Sequence, residues 1–182
     1  MDWNKRDEFL LHLYDQLWNS VTRVEQGLWQ FIGIYAGIIG IHWAIGQQQP
    51  ALAACLIVLA SFWGINIAIN AGKWFERNRM MVINIEKQFL SSDDLGMIIP
   101  TRYHKRSPRR FFTLLDRLHM LIFSAVIVLS VLVYWDKLQK TIWTLALSIL
   151  LIAGIAGTLY HWYVAWREVK SFAGETKDVG RS

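Results

Sequence analysis

Apolar residues along this chain gather into four long runs, Leu28 to Gly46, Ala51 to Gly72, Leu118 to Trp135 and Thr141 to Val164. Each run is close to the about 20 helical residues that cross about 30 Å of hydrocarbon. The first two runs are parted only by Gln47, Gln48, Gln49 and Pro50, and the last two only by Asp136, Lys137, Leu138, Gln139 and Lys140. Connections this short make consecutive helices antiparallel neighbours. The pattern therefore predicts an all-α membrane protein with four transmembrane helices, arranged as two hairpins.

The polar flanks carry helical periodicity too. Before the first run, Leu10, Leu13, Leu17, Val21, Val24 and Leu28 recur at steps of three and four, which is one apolar stripe on a helix. Two readings are open for it: a helix resting on the bilayer surface, or a coiled-coil-like contact that carries the first span into the cytoplasm. After the second run, Lys73 to Leu90 contains neither Gly nor Pro and keeps Phe75, Val82, Ile85 and Phe89 among charges. The second span is thus expected to protrude by several turns. Ser91 to Asp94, Gly96 and Pro100 then mark a break. The expected division is an amphipathic cytoplasmic helix over 1–27, a hairpin over 28–72, a cytoplasmic helical extension and basic loop over 73–117, a second hairpin over 118–164 and a tail over 165–182.

Charge orients this frame. Ten of the 19 Lys and Arg lie between Lys73 and Arg117, whereas the short connections offer only Lys137 and Lys140. The positive-inside bias places the central segment and both termini in the cytoplasm. The net charge of +5 then reports topology, and no nucleic-acid partner is expected. Composition agrees: 54% of residues are hydrophobic, above the roughly 45–50% of soluble domains, and the mean hydropathy is +0.26. Trp29, Trp74, Trp135, Trp143, Trp162, Tyr134, Tyr160 and Tyr163 cluster at run ends, as interfacial anchors do. Trp43 and Trp63 depart from that pattern and are expected to pack between helices. The N-terminus lacks the features of a signal peptide, and Cys55, inside a run, is expected to act as a small packed hydrophobe.

Polar groups intrude mainly in the second run. Asn66, Asn70, Lys73 and Arg77 fall at steps of four, three and four and share one helix face. Amides facing lipid are costly, so this face should look toward other helices or toward water. Either the asparagines hydrogen-bond neighbouring helices, or the stripe lines a pore with Lys73 and Arg77 at its mouth. His42 and His161 lie at opposite membrane depths and are expected to make separate interhelical or interfacial bonds. Gly33, Gly37 and Gly40 in the first run, with Gly154 and Gly157 in the fourth, suit close helix packing, either inside the bundle or between copies. Arg102, Lys105, Arg106, Arg109 and Arg110 suit a cytoplasmic protein partner or anionic lipid. No catalytic constellation, metal-ligand spacing or cofactor-binding loop occurs, so a non-enzymatic protein without metal or cofactor is expected.

The stretch Trp74, Phe75, Arg77, Asn78, followed by Asn84, Ile85, Glu86, Gln88, Phe89 and Leu90, resembles a group of small, uncharacterised bacterial inner-membrane proteins. The similarity includes the LYDQLWNS segment before the first run. By architecture it is also similar to membrane components of bacterial antiphage defence systems. The resemblance implies an oligomeric, multi-pass inner-membrane protein that perturbs the membrane or senses infection. A small ion channel unrelated to defence, and an anchor that recruits a cytoplasmic partner, stay open beside it.

Overall fold

Long uninterrupted apolar periodicity makes helices, and the computed structural model contains only helices among its described residues, which are 3–27, 30–89, 114–138 and 142–178. They form α1 (Trp3–Gly27), α2 (Gln30–Ile45), α3 (Pro50–Phe89), α4 (Leu114–Leu138) and α5 (Ile142–Asp178). Among the described residues, three segments are long and apolar enough to cross a membrane: Pro50–Glu86, Asp116–Asp136 and Ile142–Ser171. The first expected span is shorter. Its helix α2 has 16 residues, about 24 Å at the α-helical rise, and Leu28 and Trp29 lie outside the described residues.

The centre of the fold is α3. Pro50 starts it, at a position where its missing N–H and fixed φ cost nothing, and 40 residues follow without a break, about 60 Å of helix. The expected cytoplasmic extension is therefore the same helix as the span. All four other helices take α3 as a main partner. Phe62 on α3 packs on Gly154 of α5, and Phe123 of α4 packs on Gly64 of α3. Contacts in rising order on both helices make α3 and α5 parallel, whereas α4 runs against α3. The core holds Phe31, Ala53, Ala54, Val58, Ala68, Ile69 and Phe123, each almost wholly enclosed. The small residues at 53, 54 and 68 let neighbouring helices approach α3 closely.

Burial falls off sharply away from this axis. In the most apolar stretches, 56% of α3 is buried but only 6% of α5. The outer faces of α4 and α5 carry exposed Leu121, Leu132, Leu145, Ile149, Ile152 and Leu159, a surface suited to hydrocarbon rather than water. Trp43 and Trp63 belong to that outer surface, at 79% and 62% exposure. They do not pack between helices as expected.

The amphipathic stripe of α1 settles on the far end of α3. Leu17 is buried against Val82 and Ile85, with Leu13, Tyr14 and Met81 around them. The part of the stripe around Leu13 and Leu17 thus makes a helix–helix contact with α3. Polar pairs frame it: Tyr14 Oη donates to Glu86 Oε1 at 3.1 Å, and Asn78 Nδ2 donates to Ser20 Oγ at 2.9 Å. Burial, then the Glu86 carboxylate, push the Tyr14 phenol above its ordinary range, so it remains a donor at neutral pH. Close by on α3, Arg79 Nε and Nη2 both donate to Glu76 Oε2, at 3.0 and 2.6 Å, and both residues are buried.

Glycines separate tight from open contacts. A Cβ at Gly64 would run into the Phe123 ring, whereas one at Gly33 or Gly37 would meet nothing within 4 Å. Gly64→Ala should destabilise the helical bundle by about 1–3 kcal/mol through overpacking, and Gly37→Ala should leave the single chain no less stable. Thermal unfolding of the two variants in detergent, followed by circular dichroism, measures the contrast.

Candidate functional site: the polar seam between α3 and α5

An amide carried on an apolar helix must find a partner, because hydrocarbon supplies none. On α3, Asn66 Nδ2 donates back to the Phe62 carbonyl at 2.8 Å and reaches Thr158 Oγ1 of α5 at 3.4 Å. Its Oδ1 lies 2.7 Å from His161 Nδ1. The other imidazole nitrogen, Nε2, lies 3.0 Å from Asn70 Oδ1. Further along the same seam Lys73 Nζ meets Glu168 Oε2 at 2.8 Å. Three of the four stripe residues, Asn66, Asn70 and Lys73, thus address one helix. Arg77 turns aside, with its guanidinium 5.1 Å from the centre of the Trp74 ring.

The answering side chains on α5 are Thr158, His161 and Glu168, at steps of three and seven that hold one helix face. Among the described side chains of α5, Leu147, Ala165 and Val169 are the buried hydrophobics, with Leu150 and Leu151 partly buried beside them and Phe62 seated on Gly154. Polar bonds and apolar packing thus share the α3–α5 contact. The Glu168 side chain is 46% exposed, which makes its ion pair a partly solvated rung. Thr158 and Glu168 were not singled out from the sequence, yet their spacing with His161 is the polar stripe that complements the one on α3.

A second histidine cluster joins α2 to α4. His119 stacks on Phe31 with ring centres 4.3 Å apart and bonds through Nδ1 to Tyr35 Oη at 2.8 Å. At the other end of these helices His42 Nδ1 and Tyr134 Oη are 2.6 Å apart. They sit at the rim of an apolar cleft of about 260 Å³ whose lining includes Ile38, Ile57, Val126 and Val133. Gly46 lies directly against the Tyr134 hydroxyl, where a side chain would clash. His42 and His161 each make an interhelical bond, at separate sites.

The remaining candidates are scattered. A Cβ at Gly33, Gly37, Gly40 or Gly157 would meet nothing within 4 Å in this chain, whereas Gly154 receives the Phe62 ring. Arg102, Lys105, Arg106, Arg109 and Arg110 lie outside the described residues. Among the described residues no three His, Cys, Asp or Glu side chains converge as a metal site.

No protein-family model matches the chain, and no solved structure matches it. It is 29% identical over 150 residues to an uncharacterized protein of Methanocaldococcus jannaschii, a match that takes in 72% of this chain. The chain spans 40% of the length of that relative.

The seam makes a measurable claim. Asn66→Leu and His161→Leu should each cost about 1 kcal/mol, with a coupling of about 0.5–1.5 kcal/mol between them in a double-mutant cycle. Glu168→Gln should cost less than either, since a solvated ion pair contributes little. Reversible unfolding in bicelles gives the four free energies of the cycle.

Proposed function

We propose that the chain crosses the inner membrane of a bacterium four times, with α2 as the remaining span and both termini and the central segment cytoplasmic. In this reading it is a non-enzymatic, oligomeric platform that engages a cytoplasmic protein partner through the α1–α3 layer and the basic residues Arg102, Lys105, Arg106, Arg109 and Arg110. The supporting observation is the docking of α1 on the far end of α3, around Leu17, Val82 and Ile85. It turns the protruding helix into a braced two-helix layer joined without a break to a span. Infection sensing in an antiphage defence system suits such a platform, because a change in the layer or in the bilayer would reach the other through one helix.

A conducting pore draws less support. Asn66 and Asn70 each turn an amide oxygen to His161 of α5, so the stripe is at least partly taken up by a helix contact. The open glycine face at Gly33, Gly37 and Gly40 offers close approach to a second copy instead, as small residues do in membranes.

Two measurements separate the readings. Reversing the charges of Arg106, Arg109 and Arg110 to Glu should abolish co-purification of cytoplasmic proteins while membrane insertion persists; retained capture would refute the platform. Overexpression of the unaltered chain should leave the membrane potential of cells intact. Depolarisation that disappears in the Asn66→Leu, Asn70→Leu double variant would favour the pore.

A further inference from the structure

No Asp, Glu, Lys or Arg occurs in α5 from Ile142 to Trp166, and Arg167 is the first. Trp143 and Tyr163 stand twenty residues apart, about 30 Å of helix, which is the thickness of the hydrocarbon layer. With these two aromatics at its boundaries, Arg167 lies about 6 Å further out along the axis, among headgroups rather than acyl chains. The length of α5 sets that depth.

A groove of about 530 Å³ runs along α5 at this level, lined among the described residues by Tyr160, Tyr163, Val164, Arg167, Glu168 and Ser171. Spacings of three and four put them on one helix face. Some of its polar groups are already engaged. Glu168 Oε2 meets Lys73 Nζ of α3 at 2.8 Å, and Ser171 Oγ donates to the Glu168 carbonyl at 2.7 Å. The Arg167 guanidinium and the Tyr160 and Tyr163 hydroxyls have no such partner among the described residues.

We propose that this groove holds the headgroup of an anionic phospholipid, with the Arg167 guanidinium on the phosphate and the two tyrosine hydroxyls beside the glycerol ester oxygens. The site rests on α5 crossing the membrane and on no other part of the reading above. Guanidinium and phosphate match in charge and in two-point geometry. Around the groove, the described cations Lys73, Arg167 and Lys170 face the one carboxylate of Glu168, Lys170 standing 5.1 Å over the Trp166 ring. Lys73 already occupies that carboxylate, so an ammonium headgroup would meet repulsion and find no acceptor, whereas a headgroup of net negative charge is drawn in. Free phosphate has nothing to lay against Val164 and the tyrosine rings; a lipid brings its chains to them.

Native mass spectrometry of the full chain tests the site, after delipidation in detergent and titration with phosphatidylglycerol or phosphatidylcholine of the same acyl chains. The parent chain should bind phosphatidylglycerol more tightly. Arg167→Gln should weaken the tightest phosphatidylglycerol site about tenfold, the loss of one charge-assisted contact, and leave phosphatidylcholine binding unchanged, while Arg167→Lys should keep the preference. Unchanged phosphatidylglycerol affinity in Arg167→Gln would overturn the proposal, as would an equal loss of both lipids or displacement of the lipid by inorganic phosphate. Alkaline carbonate extraction of membranes tells two failures apart. A chain released by carbonate does not span the membrane, and the site falls with that reading; a retained chain whose lipid preference ignores Arg167 overturns the site alone.

Discussion

A side-chain amide on an apolar helix has to be hydrogen-bonded, and on α3 that requirement decides which face meets which neighbour. Asn66 satisfies part of its amide on its own helix, at the Phe62 carbonyl, and the rest of the Asn66 and Asn70 bonding reaches across a helix contact, where α5 presents Thr158 and His161. The orientation of α3 follows: with its polar edge committed to α5, its remaining faces are left for α2, α4 and α1. The small residues Ala53, Ala54, Gly64 and Ala68 occupy those faces, and the rings of Phe31 and Phe123 help fill the space around them.

The two seams of α3 use different physics. Toward α4 it is closed by aromatic packing, where Phe123 fills the place a Gly64 side chain would take and stacks near Tyr35. Toward α5 it combines bonds between polar groups with the Phe62 ring on Gly154 and the buried Leu147, Ala165 and Val169. Dispersion is insensitive to protonation, whereas the polar bonds depend on donors and acceptors being correctly matched. The charged groups are concentrated toward the α1-facing end of α3, where the buried Glu76–Arg79 pair lies. Removing one member of such a pair strands the other, which is why buried pairs are costly to break even when they add little to stability.

Much of this was legible in the residues. The runs from Ala51 and from Leu118 are helices, the absence of Gly and Pro after Lys73 does continue α3 to Phe89, and the spacing of Leu13 and Leu17 does mark the docked face of α1. Polar side chains at helical spacing in an apolar run identified Asn66, Asn70 and Lys73 as a group. Their partners were harder to see, because Thr158 and Glu168 are ordinary residues until a neighbour's face is known. Short connections suggested two hairpins, yet α4 and α5 both take α3 as their main partner, since loop length limits how far apart two helices are and says nothing about which third helix lies between them. Trp43 and Trp63 show a similar limit: a large aromatic in a membrane run has an apolar body that lipid accommodates as readily as protein does.

The continuity of α3 has a mechanical meaning. Hydrogen bonds repeat along every turn of a helix, so such a rod resists twisting and stretching far more than a jointed chain would. Phe123 seats on α3 at Gly64, Phe62 of α3 seats on Gly154 of α5, and Leu17 of α1 packs on α3 at Val82 and Ile85, so α3 is a shaft supported at two levels. Between the Pro50 end and the part that meets α1, the helix has no break at which the two ends could turn separately.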